Sequence, residues 1–267
     1  MSGFYNPTVA AITMRATLSR RRALLFALPA VILILFTVAL KASRPPSRPW
    51  PSHVLGTFGF SVLIPLTALI IGTSVLGAEI DDGSVIHLLA TPVRRSSVIM
   101  TKFLVATGLT MVFAAIPELI AAEIAGGGSV SNGAFRPGPN GPVLLRPPAV
   151  IDGSKLALGL FVGALACSVI YNAVFVMVSV ATTRAIAVGL LYVLIWEALM
   201  ANFVSGARLL SVSHYGLGIA NGFAHDPALG AGLSTGTSVV MGAIVTVVAL
   251  VLAVKLLMSF TLKGDPA

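Results

Sequence analysis

The sequence predicts an all-α, polytopic membrane protein with six transmembrane helices, an N-terminal interfacial amphipathic helix and one short cytoplasmic helix. Three observations carry that prediction. Hydrophobic residues make up 57% of the 267-residue chain and charged residues only 10%, against roughly 25% charged residues in an ordinary soluble domain. The apolar residues gather into stretches of about 20, the length a helix needs to cross a bilayer. Most basic residues stand beside those stretches, where they suit anionic headgroups and orientation control. No basic patch interleaves with aromatics, so the net charge of +8 does not signal nucleic-acid binding.

The first element is "NPTVAAITMRATLSRRR", residues 6–22. Pro7 after Asn6 fits a helix start. Helical spacing puts Val9, Ile12 and either Thr13 or Ala16 on one face and Arg15 and Arg22 on another, as in a helix lying in the membrane interface. Arg20, Arg21 and Arg22 before an apolar run resemble a signal sequence. The run is followed by Lys41 and Arg44 rather than a small-residue cleavage site, so it reads as a retained first span.

The spans are predicted at 23–40, 54–78, 103–124, 156–181, 185–205 and 237–257. The polar gaps 125–155 and 206–236 are rich in Gly and Pro and read as extracytoplasmic loops. No soluble domain is left over, so residues 1–267 form a single transmembrane domain. An even number of spans puts both termini on one side. With the termini inside, ten basic residues face the cytoplasm: Arg15, Arg20, Arg21, Arg22, Arg94, Arg95, Lys102, Arg184, Lys255 and Lys263. The other seven, Lys41, Arg44, Arg48, Arg136, Arg146, Lys155 and Arg208, face out. The clusters near span ends make the bias, which favours a multi-pass protein of the inner (plasma) membrane with cytoplasmic termini.

The densest charge cluster, "EIDDGSVIHLLATPVRRSSVIMTK", runs from Glu79 to Lys102 between the second and third spans. Glu79, Asp81 and Asp82 end one helix in water, Gly83 permits a sharp turn, and Ser84 is placed to cap a second, short helix. Val85 to Ala90 is long enough for about two turns. Thr91-Pro92 stops them, because proline disfavours helix in the residue before it. Arg94 and Arg95 return the chain to the headgroups, and Ser96 or Ser97 caps the third span. Val85, Ile86, Leu88 and Leu89 are then four apolar residues within five positions, and exposed to water they need a partner's groove.

Glu79, Gly83-Ser84, Leu88-Leu89, Thr91-Pro92-Val93, Arg95 and Lys102 stand in the pattern E-x3-G-S/T-x3-LL-x-TP-V/I-x-R-x6-K. That pattern resembles the cytoplasmic segment of type-2 ABC exporter permeases. The resemblance implies that the segment is a coupling helix docking on a separate ATPase subunit, with Glu79, Gly83, Val85, Ile86, Leu88, Leu89, Pro92 and Arg95 as the coupling residues. It also implies two permeases, as a homodimer or with a sister permease, and two ATPases. Ile86 stands where an acid is common and Arg94 where a small hydroxyl is common. A second resemblance, "YVLIWEALMANF" with "LLSVSHYGLGIANG", is to the fifth span and following outer loop of the same family. There the segment around Tyr215 is either a re-entrant hairpin or a plain loop. The chain has no G-x-x-x-x-G-K-S/T phosphate loop, so ATP and Mg belong to the partner.

Carboxylates inside spans are functional suspects. Glu118, after Pro117, lies about 24 Å along the third span from Lys102, near its outer end. It and Glu123 face about 140° apart on a helix, a poor acid/base pair, and both are expected to meet water or headgroups at the outer mouth. Glu197 sits about 20 Å along the fifth span from Arg184. Within hydrocarbon it must be protonated, paired or facing a cavity, in either a structural or a substrate-path role. Trp196 beside it reads as an interfacial anchor. His53, His87, His214 and His225 make no metal-ligand spacing and read as solvated or interfacial residues. Cys167 reads as a small core residue. No serine elbow, HExxH or paired aspartate appears on the spans, so no catalytic, cofactor or metal site is expected. The alternative to an ATP-driven permease is a proton-coupled carrier using Glu118, Glu123 and Glu197.

Overall fold

The computed structural model describes residues 7–43, 50–81, 95–126, 135–138, 141–144, 152–200 and 205–259. Helix α1 is Pro7–Thr17 and α2 is Arg20–Ser43. Helix α3 covers residues 50–81 and is π-helical over Leu55–Leu63. Helix α4 is Arg95–Ala125, π-helical over Met111–Ala115. A short hairpin comes next, β1 (Phe135–Gly138) pairing antiparallel with β2 (Gly141–Leu144). Helix α5 is Gly153–Ala181, α6 is Ala185–Met200, α7 is Val212–Ala224 and α8 is Thr235–Ser259. The protein is an all-α polytopic membrane protein, with that hairpin the only strand pair among the described residues.

Five helices among the described residues are long and apolar enough to cross a membrane: Arg22–Ser43, Trp50–Leu76, Arg95–Ala125, Gly153–Ala181 and Thr235–Ser259. The fifth predicted span, 185–205, is described over Ala185–Met200. Seven α-helical residues, Ala185–Leu191, pass into nine π-helical ones, Tyr192–Met200. The second polar gap departs from a loop. It holds a 3₁₀ turn, Ser205–Leu210, and the buried helix α7.

Helix α5 is the hub, packing on α7, α3, α8 and the C-terminal part of α4. Its approach to α7 depends on small residues four apart. A Cβ at Gly159 would lie 2.5 Å from the Ala220 carbonyl oxygen, and one at Gly163 would lie 2.6 Å from that of Gly216. Backbones that approach so closely gain dispersion contacts, the main attraction between helices in lipid. Asp152 caps α5 by accepting from the Ser154 N–H at 3.1 Å and from its hydroxyl at 2.7 Å. Those bonds, the hydroxyl's first, hold the Asp152 carboxyl below its ordinary range. The cap's contribution is therefore full above that ordinary range and is lost as pH falls through the lowered value.

The outer helices bury narrow stripes and turn apolar residues outward. On α2 the stripe is Phe26, Pro29, Leu33 and Thr37, with Leu24, Leu28, Leu35 and Val38 exposed. On α8 it is Ser238, Gly242, Ala249, Ala253 and Leu257. Such faces suit lipid. Helix α1 docks on α3 and α4 through Ala10, Thr13 and Thr17. Ile12, expected on its apolar face, is 60% exposed. The small residues alone let α1 lie close to its neighbours.

Hydrogen bonds tie the helix ends in an alternating order. At one end the Arg95 Nη1 donates to the Leu257 and Met258 carbonyls at 2.9 and 3.0 Å, and the Lys102 Nζ donates to the Val75 carbonyl at 2.7 Å. At the other, the Lys41 Nζ donates to the Ile124 carbonyl at 2.6 Å, and the Ser52 hydroxyl donates to Asp226. The start of α4 thus meets the ends of α3 and α8, as an up-and-down bundle requires.

Candidate functional site

Of the coupling residues named from the sequence, Gly83, Val85, Ile86, Leu88, Leu89 and Pro92 lie outside the described residues, as does His87. Glu79 is in the last turns of α3. The two basic residues closing the motif are described. Arg95 opens α4 and binds the last carbonyls of α8, where a cation also complements the negative end of the helix dipole. Lys102 is completely buried, its Nζ on the α3 backbone. The helix begins at Arg95, so Ser96 and Ser97 lie in its first turn rather than at its cap. The C-terminal end of the motif is therefore tied to two other membrane helices.

The buried carboxyl groups have opposite surroundings. Glu197 is completely buried near the end of α6, and several groups donate to it. Its Oε1 accepts from the Tyr192 hydroxyl and the Val212 N–H, each at 2.8 Å. Its Oε2 accepts from the Ser211 hydroxyl at 2.6 Å, the Ser213 hydroxyl at 2.8 Å and the Ser213 N–H at 3.3 Å. Val212 and Ser213 are the first residues of α7, so Glu197 satisfies backbone donors that a helix start leaves open. It also places an acceptor at the positive end of the helix dipole. The Trp196 Nε1 donates to the Leu210 carbonyl at 3.2 Å, and the Tyr215 hydroxyl to that of Leu209. Together these bonds fold 205–215 back onto the end of α6.

Glu118 is also completely buried, which corrects the expectation that it meets water or headgroups. Among the described residues no donor reaches either of its oxygens. The cause is local. Helix α4 widens over Met111–Ala115, and Pro117 has no N–H to return to the ideal ladder. Glu118 then points into a small cavity lined by Pro29, Leu33, Ile64, Thr67 and Pro117. The Thr67 hydroxyl is turned to its own helix, donating to the Leu63 carbonyl at 2.8 Å. Gly59 makes the room: a Cβ there would lie 2.6 Å from Oε2. Glu123 is exposed, so the two acids do not meet.

Gly59→Ala is expected to destabilise the protein by about 1–3 kcal/mol, the usual cost of overpacking. Thermal unfolding in detergent measures it, and adding Glu118→Ala should recover most of the loss. Full stability of the single variant would contradict the close approach.

His214, expected to be solvated or interfacial, is buried in the first turn of α7, where that helix packs on α5. His53 and His225 are exposed. Cys167 is buried, its Sγ 3.5 Å from the Val212 carbonyl. Among the described residues no cluster of His, Cys, Asp and Glu is arranged to hold a metal ion. Sequence reasoning missed Gly59 and the pair Ser52 and Asp226. It also missed Ser211 and Ser213, although a Ser-x-Ser run before an apolar segment is a readable capping signal.

Residues 18–136 match the family model described as ABC-2 family transporter protein. The match covers α2, α3, α4 and the stretch between the last two. Comparison with curated proteins finds no match.

Proposed function

Because residues 18–136 match the family model described as ABC-2 family transporter protein, we propose that the chain is a membrane permease subunit of an ATP-driven exporter and couples to a separate ATPase. The observation that carries this reading is the family match over a stretch that includes the whole motif from Glu79 to Lys102. ATP and Mg bind the partner. Closure of two ATPases pushes the short helix near Val85 to Ala90 on each of two permeases, homologous or identical. The push passes into α3 and α4 directly and into α8 through Arg95, and the path opens between the permeases. Helix α6 serves as the fifth of six spans, both termini are cytoplasmic, and the protein lies in the inner (plasma) membrane.

One observation favours the proton-coupled carrier: the Glu118 carboxyl is buried with no donor among the described residues. Reconstitution into vesicles with the ATPase separates the readings. Transport driven by ATP, and unaffected by collapsing the proton gradient, is the expected result. Transport driven by a proton gradient without ATP, and lost in Glu118→Gln, would overturn the exporter reading.

A further inference from the structure

Lys102 has no exposed surface, although it stands inside a membrane helix. Its Nζ donates to the Val75 carbonyl at 2.7 Å. Val75 lies six residues before the end of α3, and Lys102 lies seven after the start of α4. At 1.5 Å per residue the bond sits about 9–10 Å from both ends of the segment that joins the two helices. In water such a tie would be weak, because solvent replaces either partner. Here a parted donor finds no water, and a buried donor left open is costly, so the bond resists opening. Apolar packing reinforces it. Leu76 of α3, Ile99 of α4, Val176 and Val180 of α5, and Ala253 and Leu257 of α8 form one buried cluster. Arg95 adds its bonds to the Leu257 and Met258 carbonyls. Among the described residues no part of α2 or α6 belongs to that cluster.

We infer that Lys102 is a positioning residue that makes the inner ends of α3 and α4 one lever. A push on the segment between them then turns both helices together instead of spreading them apart. The inference rests on the exporter reading and adds to it a residue that, being fully buried, does not touch the ATPase. The apolar cluster carries α5 and α8 along, so the inner ends of four helices move as one body while α2 and α6 shift against it.

The test uses the full chain with its ATPase in discs of phosphatidylcholine, with Cys167→Ala and spin labels on introduced cysteines. One pair is Ser74→Cys with Leu104→Cys, across α3 and α4. The other is Leu104→Cys with Ile186→Cys, across α4 and α6. Dipolar electron resonance reads both distances without nucleotide and with ATP and vanadate. With Lys102 present, the first distance should be the same in both states, and the second should shift by about 2 Å or more. Lys102→Met keeps the length of the side chain and removes its donor. In that variant the first distance should widen by about 2 Å with nucleotide only. The ATPase should still copurify, and Lys102→Arg should restore the unchanged distance. Widening with Lys102 present would overturn the inference, and that arm stands even where Lys102→Met fails to fold. So would no widening in Lys102→Met, loss of the ATPase from it, or equal widening with and without nucleotide, the mark of a purely structural tie. Failure of the exporter reading shows separately, as absence of an ATPase from the wild-type complex.

Discussion

Leu89→Asp is expected to abolish transport while the protein folds and inserts at wild-type levels. Leu89 belongs to the four apolar residues between the acids at 79–82 and the arginines at 94–95. An aspartate seated in a partner's apolar groove loses its hydration without gaining a donor. The truncation of one central anchor in an interface commonly costs about 2 kcal/mol or more, about thirtyfold in affinity. The residue lies outside the apolar stretches, so insertion should be unaffected. The measurements are membrane abundance and ATP-dependent transport in the same vesicles. Normal export by the variant would remove the coupling role. Arg95 reports the same role poorly, because its Nη1 holds the Leu257 and Met258 carbonyls. Reversing its charge would loosen α8 whether or not an ATPase docks.

Glu197→Ala is expected to have the largest effect on stability. It strips an acceptor from the Tyr192, Ser211 and Ser213 hydroxyls and from the Val212 and Ser213 N–H groups. Hydroxyls can turn to other acceptors, whereas the two backbone donors cannot, and each buried donor left open costs about 1–3 kcal/mol. A total of about 3 kcal/mol or more corresponds to a fall in Tm on the order of 5–10 °C. Glu197→Gln keeps one carbonyl oxygen and should fall between. Wild-type stability of the alanine variant, together with lost transport, would instead assign Glu197 to the substrate path.

The helices were legible where the physics is one-dimensional. An apolar run of about 20 residues, with charges at its ends, specifies a span whatever its neighbours are, and the long helices follow those runs. Helix α7 was harder, because Gly216, Gly218 and Gly222 read locally as loop. Their use appears only beside Gly159 and Gly163 on another helix, where the missing side chains let two backbones meet. Glu118 was misread for a related reason. Ideal helical geometry places it correctly along α4, but the π-helical turn before Pro117 decides which way it faces. For Glu197, burial among donors was foreseeable as one of three options. Which donors answered it was a tertiary fact, set by the return of 205–215 onto α6.

The most direct test of the proposed coupling is extraction of the native protein in mild detergent, followed by identification of what copurifies. A stoichiometric ATPase with a phosphate-loop motif is expected, present with wild-type protein and lost with Leu89→Asp. Recovery of the protein without any ATPase, under extraction that preserves other ABC complexes, would contradict the coupling.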